Sequence, residues 1–492
     1  MTICSSNVTS GFIDLATFDE LEKYMYGGPD ATAYFVRETR KSTWFTQVPV
    51  VLSRASGNPG FDTDWSVSIS RAGDYLLSTW LRLTTPKITP NPEVFGSGDE
   101  PAFPNANKNL RIRWTRNFMH NIIREACITF NDLVAARFDN YHLDFWTAFT
   151  VPAGKRTGYN NMIGNFDELT APHAPASSGV SAASSVDGHI PSFTLNLPLP
   201  FFYTRDSGVA LPTAALPYND MRITFAFRNW TDLLIVDDIA VVGDGTHCSP
   251  SRMATDRDIV ENCPCVSNVQ VWANYAIVSN DERKRMACAP RDILIEQVQT
   301  APRQTFSPDT NPTPRYDIRF SHAIKVFFFG ARNMTVRSQW SNYTAGTPVP
   351  THADVDFGAP AMVDPILQTS LVYENTNRLS QMGSDYFSLI NPWYHAPAIP
   401  LETGYHMYSY SLDFICLDPE GSTNYGKLTN VSISPEASPD AILSSTGGFP
   451  VVRPDHGVPT GGDHPQNWEF VTTAVNNNII RISGGALGFP VL

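Results

Sequence analysis

The residues best suited to chemistry are eleven histidines and seven cysteines, and their densest grouping is His247-Cys248 followed by Cys263-Pro264-Cys265. Four soft donors from two short segments are what tetrahedral zinc takes. The group lacks C-x-x-C spacing, however, and the plainer reading is a loop that holds three thiols. A cupin-type metal cradle needs two histidines one residue apart, plus a glutamate and a further histidine, so that imidazoles of adjacent strands converge on one ion. No H-x-H occurs, and His406 in Gly404-Tyr405-His406-Met407 stands alone. Loop carboxylates at Asp62 and Asp64, at Asp237, Asp238 and Asp244, and at Asp354 and Asp356 could take calcium. None matches an EF-hand, and solvated loop acids are the simpler account.

The chain has no P-loop, G-x-S-x-G elbow, H-E-x-x-H pair or G-x-G-x-x-G turn. Sequons stand at Asn7, Asn229, Asn333, Asn342 and Asn430. Seven cysteines are an odd number, most are isolated, and no secretory leader is evident at Met1-Thr2-Ile3-Cys4. The expectation is free thiols in a reducing compartment and unmodified sequons. No catalytic, cofactor or metal site is expected. A two-barrel enzyme or carbohydrate-binding protein is the competing class, and it would need the convergent polar site that these residues do not supply.

The formal charge is −13, from 35 Lys+Arg against 48 Asp+Glu. A protein that packs nucleic acid directly needs a basic face, and here the basic clusters are as short as Arg283-Lys284-Arg285. Direct nucleic-acid binding is not expected. Apolar runs such as Leu195-Asn196-Leu197-Pro198-Leu199-Pro200-Phe201-Phe202 are broken by proline and fall short of the ~20 residues of a membrane span.

The elements that must carry these residues are mainly strands. Thirty-eight prolines and 31 glycines are spread throughout, as the turns of an all-β chain require. Period-two alternation marks Trp65-Ser66-Val67-Ser68-Ile69-Ser70, Arg222 to Phe227, Val269 to Trp272, and Tyr408 to Phe414. The exception is the start, where Thr17-Phe18-Asp19-Glu20 fits a capping box, with Phe18, Leu21 and Met25 on one face and Gly27-Gly28-Pro29 as the stop. Residues 1–38 therefore read as an arm with a short amphipathic helix. Its acidic polar face (Asp19, Glu20 and Glu22 against Lys23) favours protein contact over a membrane surface.

A faint internal repeat organises the rest. Gly73 to Leu83 has a counterpart in Arg319 to Phe329, an offset of 246 from Trp80 to Val326. Cys127 to Asp132, followed by Arg137 and Tyr141, matches Ser370 to Asn375, followed by Arg378 and Tyr386, an offset of 243 from Phe130 to Tyr373. A third pairing sets Leu199-Pro200-Phe201-Phe202-Tyr203 against Asn391-Pro392-Trp393-Tyr394, with an offset of 192 from Pro200 to Pro392. A long loop from Leu169 to Ser192 would account for the shorter offset. The economical architecture is all-β, two tandem eight-stranded jelly rolls at 39–240 and 266–492, joined by a linker at 241–265. Further long loops are expected at Pro86–Asn109 and Ser434–Asn467.

Several stretches resemble the major capsid proteins of iridoviruses, most closely those of invertebrate iridescent viruses among the nucleocytoplasmic large DNA viruses. They are Ser10-Gly11-Phe12-Ile13-Asp14, Trp114-Thr115-Arg116-Asn117-Phe118-Met119-His120-Asn121 and Arg205-Asp206-Ser207-Gly208-Val209-Ala210-Leu211-Pro212. Asn391-Pro392-Trp393-Tyr394, Gly421-Ser422-Thr423-Asn424-Tyr425-Gly426 and the ending Gly484 to Leu492 complete the set. The resemblance runs from end to end and departs mainly in the long loops and the Cys/His seam. It implies a double jelly roll, homotrimeric capsomers of pseudo-sixfold outline, and an icosahedral capsid around an internal membrane and a double-stranded DNA genome. It further implies minor capsid and penton partners, and assembly in host cytoplasm.

Overall fold

The computed structural model describes residues 12–13, 16–17, 19, 43–95, 110–170, 189–238, 251–261, 263–345, 364–446 and 465–489. Met1–Trp44 and Phe45–Leu492 are separate compact units. In the first, Phe12 and Ile13 are helical and exposed, and the expected amphipathic helix lies mostly outside the described residues.

The second unit is two β-sandwiches. The strands of the first are β1 (Phe45–Val51), β2 (Asp64–Ser68), β3 (Tyr75–Thr84), β4 (Ile123–Phe130), β5 (Leu133–Phe138), β6 (Thr194–Pro198), β7 (Met221–Phe227) and β8 (Ser267–Val278). Those of the second are β9 (Arg291–Thr300), β10 (Tyr316–Asp317), β11 (Ala323–Asn333), β12 (Ile366–Tyr373), β13 (Thr376–Gly383), β14 (His406–Ser409), β15 (Val431–Ala437) and β16 (Trp468–Ser483). The first sandwich has sheets β1-β8-β3-β6 and β2-β7-β4-β5; the second has β9-β16-β11-β14 and β10-β15-β12-β13. Adding eight to each label of the first sandwich gives the second. Both are jelly rolls, and the chain is a double jelly roll.

Two of the three repeat blocks fall on equivalent strands. Trp80 and Val326 lie in β3 and β11, while Phe130 and Tyr373 end β4 and β12. Each of the latter is followed by a two-residue hairpin with both turn residues left-handed, Asn131 and Asp132 (φ 48 and 67) and Glu374 and Asn375 (φ 46 and 64). That backbone matches the twist of the flanking strands, and among non-glycine residues Asn and Asp tolerate it best.

The third block does not correspond. Leu199–Tyr203 follows the sixth strand of its sandwich, whereas Asn391–His395 is a helix between the fifth and sixth strands of the other. The shared Pro-aromatic composition marks two different corners. The boundary at 266 also shifts, because β8 pairs with β1 and β3 of the first sandwich along its length. The Gly/Cys-rich stretch that suggested a linker is an excursion before that strand, not after it. The alternation of Tyr408–Phe414 outlasts its strand, which stops at Ser409. The loop expected from Ser434 begins later, after β15 and a helix at Pro439–Ser445.

The two sandwiches meet through a helix. α1 (Asn140–Thr150) follows β5; the Asp139 carboxylate accepts from the His142 amide at its start, and Val151 turns extended ahead of Pro152 at its end. It is buried around most of its circumference, which is why its sequence shows no clean apolar stripe. It lies on the outer face of sheet β9-β16-β11-β14. That sheet is covered on both sides, so β11 reads as the unbroken run Val326-Phe327-Phe328-Phe329. Phe327 and Phe329 point into the core of their own sandwich, Val326 and Phe328 into the one shared with the first.

Two glycines permit this approach. A Cβ on Gly330 would stand 3.1 Å from the Phe145 ring, and one on Gly404 (φ +96) would overlap the Tyr343 carbonyl. Gly404→Ala is expected to lower stability by about 2 kcal/mol or more. Gly158→Ala, in the helix Ala153–Ile163 with open space around it, should be neutral or stabilising by about 0.5–1 kcal/mol. Thermal midpoints of the two variants check both; equal midpoints would refute the close approach at Gly404.

Candidate functional site

Among the described residues, buried polar and aromatic side chains concentrate at the seam between the sandwiches. Its apolar centre is a wedge of rings from α1. Phe145 and Phe149 stack on Phe328 with centroids 6.1 and 5.5 Å away, and Trp146 meets Phe414 edge-on at 5.5 Å. Tyr343 and Tyr405 close over Phe145 at 5.1 and 5.7 Å. Such pairs add about 0.5–1.5 kcal/mol each beyond the area they bury.

Around this wedge the segment Trp114–Asn121 reaches across residue by residue. Thr115 Oγ1 accepts from the Trp340 amide at 3.0 Å, Arg116 forms an ion pair with Glu402, and Asn121 Nδ2 donates to Ser341 Oγ at 2.9 Å. Asp144 of α1 is the hub. One oxygen lies 2.7 Å from His120 Nδ1, and the other accepts from Ser341 at 2.7 Å and Tyr343 at 3.2 Å. His120 Nε2 is 2.7 Å from the Tyr159 hydroxyl. A small cavity here is lined by His120, Asp144, Arg156, Tyr159, Glu402 and Tyr405 among others.

Two charge clusters flank the hub. Glu296 of β9 takes Lys325 Nζ at 2.7 Å and Arg205 Nε at 2.9 Å, while the Arg205 guanidinium lies 3.7 Å from the centre of the Trp146 ring. Glu469 of β16 accepts from Tyr141 at 2.6 Å and Arg332 at 2.9 Å. Burial, with Glu469 close by, pushes the Tyr141 hydroxyl up to about 12. Trp340 carries Arg228 and Arg332 at 3.8 and 3.5 Å from its ring centre. These charges come from different sandwiches, and losing one partner of such a buried set costs about 3–5 kcal/mol.

The residues singled out from sequence are placed differently. Cys263 and Cys265 are exposed, with Cys265 Sγ donating to the Cys263 carbonyl at 3.4 Å; His247 and Cys248 lie outside the described residues. Among the described residues no three His, Cys, Asp or Glu side chains converge as a metal site would need, and no helix is long and apolar enough to cross a membrane. His406 is buried, 2.7 Å from Asp364 and stacked on Phe329. Asp64 makes an exposed ion pair with Arg124, whereas Asp237 is not a solvated acid. It lies on the strand Leu234–Asp238 and pairs with Arg113 at 2.6 Å, both side chains buried. Asp244, Asp354 and Asp356 lie outside the described residues. In the basic cluster, Arg283 pairs with Asp74 at 2.6 Å.

Sequence reasoning missed Asp144, Glu296, Lys325, Arg332 and Glu469. The available signal was a charge inside an apolar strand, as in Ala323-Ile324-Lys325-Val326-Phe327, which demands a buried partner.

His142 gives the seam a pH dependence. Its imidazole is buried with neither nitrogen hydrogen-bonded, and burial, aided by the Arg205 charge, pushes it down to about 3. Above its unfolded value of about 6.5 the ring is neutral in both states and contributes no pH dependence. Below that, the unfolded chain takes a proton that the folded chain refuses. Stability then falls by about 1.4 kcal/mol per pH unit, down to about pH 3. His142→Leu should remove one proton's worth of that slope between pH 6 and 4, read from urea midpoints; an unchanged slope would refute the assignment.

The comparisons with known proteins cover the whole of this architecture. The family described as major capsid protein N-terminus matches residues 33–278, and that described as large eukaryotic DNA virus major capsid protein matches residues 282–488. The major capsid protein of Costelytra zealandica iridescent virus is 62% identical over 492 residues, with all of both chains covered. That of Invertebrate iridescent virus 6 is 59% identical over 494 residues, and that of Frog virus 3 (isolate Goorha) 42% over 491, again over 100% of each chain. Among solved structures, the PBCV-1 virus capsid subunit superposes with a TM-score of 0.68 at 17% identity, over 94% of this chain and 100% of that one. The Faustovirus major capsid protein gives 0.63 at 12% identity, over 95% of each. These proteins are structural parts of a self-associating virion shell rather than enzymes. At 42% to 62% identity with curated major capsid proteins from one end to the other, the chain belongs to the large eukaryotic DNA virus major capsid proteins.

Proposed function

We infer that three copies of this chain form a capsomer of pseudo-hexagonal outline, and that such capsomers tile the icosahedral shell of a large double-stranded DNA virus. The observation that carries this reading is the repeated strand order, β1-β8-β3-β6 in one sandwich and β9-β16-β11-β14 in the other. Two like walls per chain give six per trimer, so neighbouring tiles meet in nearly equivalent contacts. On this reading the division between the walls falls in the helix Asn280–Cys288, just after β8. Minor capsid and penton proteins would fill the vertices and gaps, and the internal membrane would be reached through them. Direct genome contact is disfavoured by the net charge of −13. Assembly in host cytoplasm agrees with free thiols at Cys127, Cys263, Cys265 and Cys416.

Light scattering on the purified protein should give about 163 kDa, three times the 54.4 kDa chain mass. A stable monomer at micromolar concentration would overturn the reading.

A further inference from the structure

The joint inside the chain has an unfilled counterpart on its surface. In β9-β16-β11-β14 the register aligns Val298, Val475, Val326 and Ser409 in one row across the outer face. Val475 and Val326 are fully buried there, in the core that α1 shares. The matching row of the first sandwich is Val51, Trp272, Trp80 and Pro198. Its indoles stack with centroids 6.1 Å apart, both partly exposed, and Val51 is 41% exposed. On one side the row is bordered by Gln270, Arg82 and Asn196, and on the other by Asn274 and Ser78. An apolar strip with a polar rim is the anatomy of a protein interface.

The helix that would fill it is also present. After β13, residues 384–395 are helical: a π turn at Tyr386–Ile390 and then α2 (Asn391–His395). This is the place α1 occupies after β5. The equivalence of Tyr141 and Tyr386, an offset of 245, carries Phe145 to Ile390 and Phe149 to Tyr394. Phe145 and Phe149 are buried on Phe328, while Ile390 and Tyr394 are 46% and 74% exposed, beside Leu389 and Trp393 at 51% and 71%.

We propose that the face of this second helix, carrying Ile390, Trp393 and Tyr394, seats on the Val51–Trp272–Trp80–Pro198 row of the next copy. It would repeat between chains the joint that α1 makes within one. The contact is head-to-tail, so it requires ring closure, and it rests on the reading that copies assemble into capsomers.

The test places p-benzoylphenylalanine at Tyr394 in the full chain, illuminates the purified protein and maps the adducts, with light scattering on the same sample. The expected result is a covalent product at two and three times the chain mass, with adducts on the peptides that hold Trp80 or Trp272. Adducts confined to a single chain would assign the helix face to a segment of that same chain, and adducts on other surfaces would place the joint elsewhere. Either outcome, or no adduct from a protein that scatters as a trimer, overturns the proposal while leaving the trimer intact. A scattering mass of one chain overturns both. Independently, Trp393→Glu with Tyr394→Glu should reduce association at least tenfold while circular dichroism shows the chain still folded, since both side chains are exposed. Leu443→Glu, exposed on another helix, should leave the mass unchanged. A double variant that stays trimeric at wild-type concentrations also overturns the proposal.

Discussion

One sheet of the second sandwich, β9-β16-β11-β14, is buried on both faces, and most of what is unusual in the molecule follows from that. A jelly roll ordinarily keeps the outer face of each sheet wet, which gives strands their alternating pattern. Here the outer face meets α1, so β11 must be apolar in both directions, and its polar residues must find partners inside protein. Lys325 finds Glu296 and the Cys416 carbonyl, and Arg332 finds Glu469, Tyr141 and the Trp340 ring. The glycine at 330 is the cost of bringing a ring from another sandwich to the backbone. The two walls are therefore one folding unit in the energetic sense: separating them would strip a packed face and strand several charges.

The polar groups of the seam do something the rings cannot. Aromatic packing against Phe328 is tolerant of small slides and rotations, because dispersion is non-directional. Asp144 accepts from two residues beyond the joint, Ser341 and Tyr343, and also binds His120 of its own sandwich. Thr115, Arg116 and Asn121, from a single eight-residue stretch, hold Trp340, Glu402 and Ser341. Buried ion pairs add little net stability compared with well-packed apolar residues, yet a displaced one is strongly penalised. Their effect is to exclude neighbouring registers of the joint. In the proposed tile, whose two walls would have to keep a fixed angle, excluding near-misses matters more than added depth in the energy well.

How far the amino-acid order discloses this depends on the range of the cause. The matching blocks Cys127–Asp132 and Ser370–Asn375 were legible because a strand running into a tight turn is a local matter, and their offset helped carry the duplication. The strand β7 was legible because one of its faces is solvated. The strand β8 was assigned to the wrong half, since pairing with β1, some 220 residues earlier, leaves no local trace. The match of Leu199–Tyr203 to Asn391–Tyr394 failed because proline and aromatic residues gather at any sharp corner. The seam itself was hidden because its members come from many segments far apart in the chain. Even so, the stretch Trp114 to Asn121 stood out before its role did, and its Thr115, Arg116 and Asn121 cross the joint.

The asymmetry between the two sandwiches gives the duplication its purpose. In the first, the connection between the fifth and sixth strands carries α1 and two further helices, Ala153–Ile163 and Asp167–Thr170, while in the second it is one short helical segment. The longer connection supplies rings, ions and hydrogen bonds, and its joint forms as the chain folds. The shorter one presents Ile390, Trp393 and Tyr394 without any described buried ion network, and on the proposed geometry its joint forms only when copies meet. On that geometry, an association made of aromatic contacts at a polar rim can be rearranged until a ring closes, whereas one that required buried charges to pair would penalise every misplaced encounter. On the proposed geometry, placing the register-fixing joint inside the chain and the adjustable one between chains would let the subunit be rigid before assembly and let errors in assembly be corrected. A single-sandwich protein, with six identical joints to make, would have to choose one strength for both tasks.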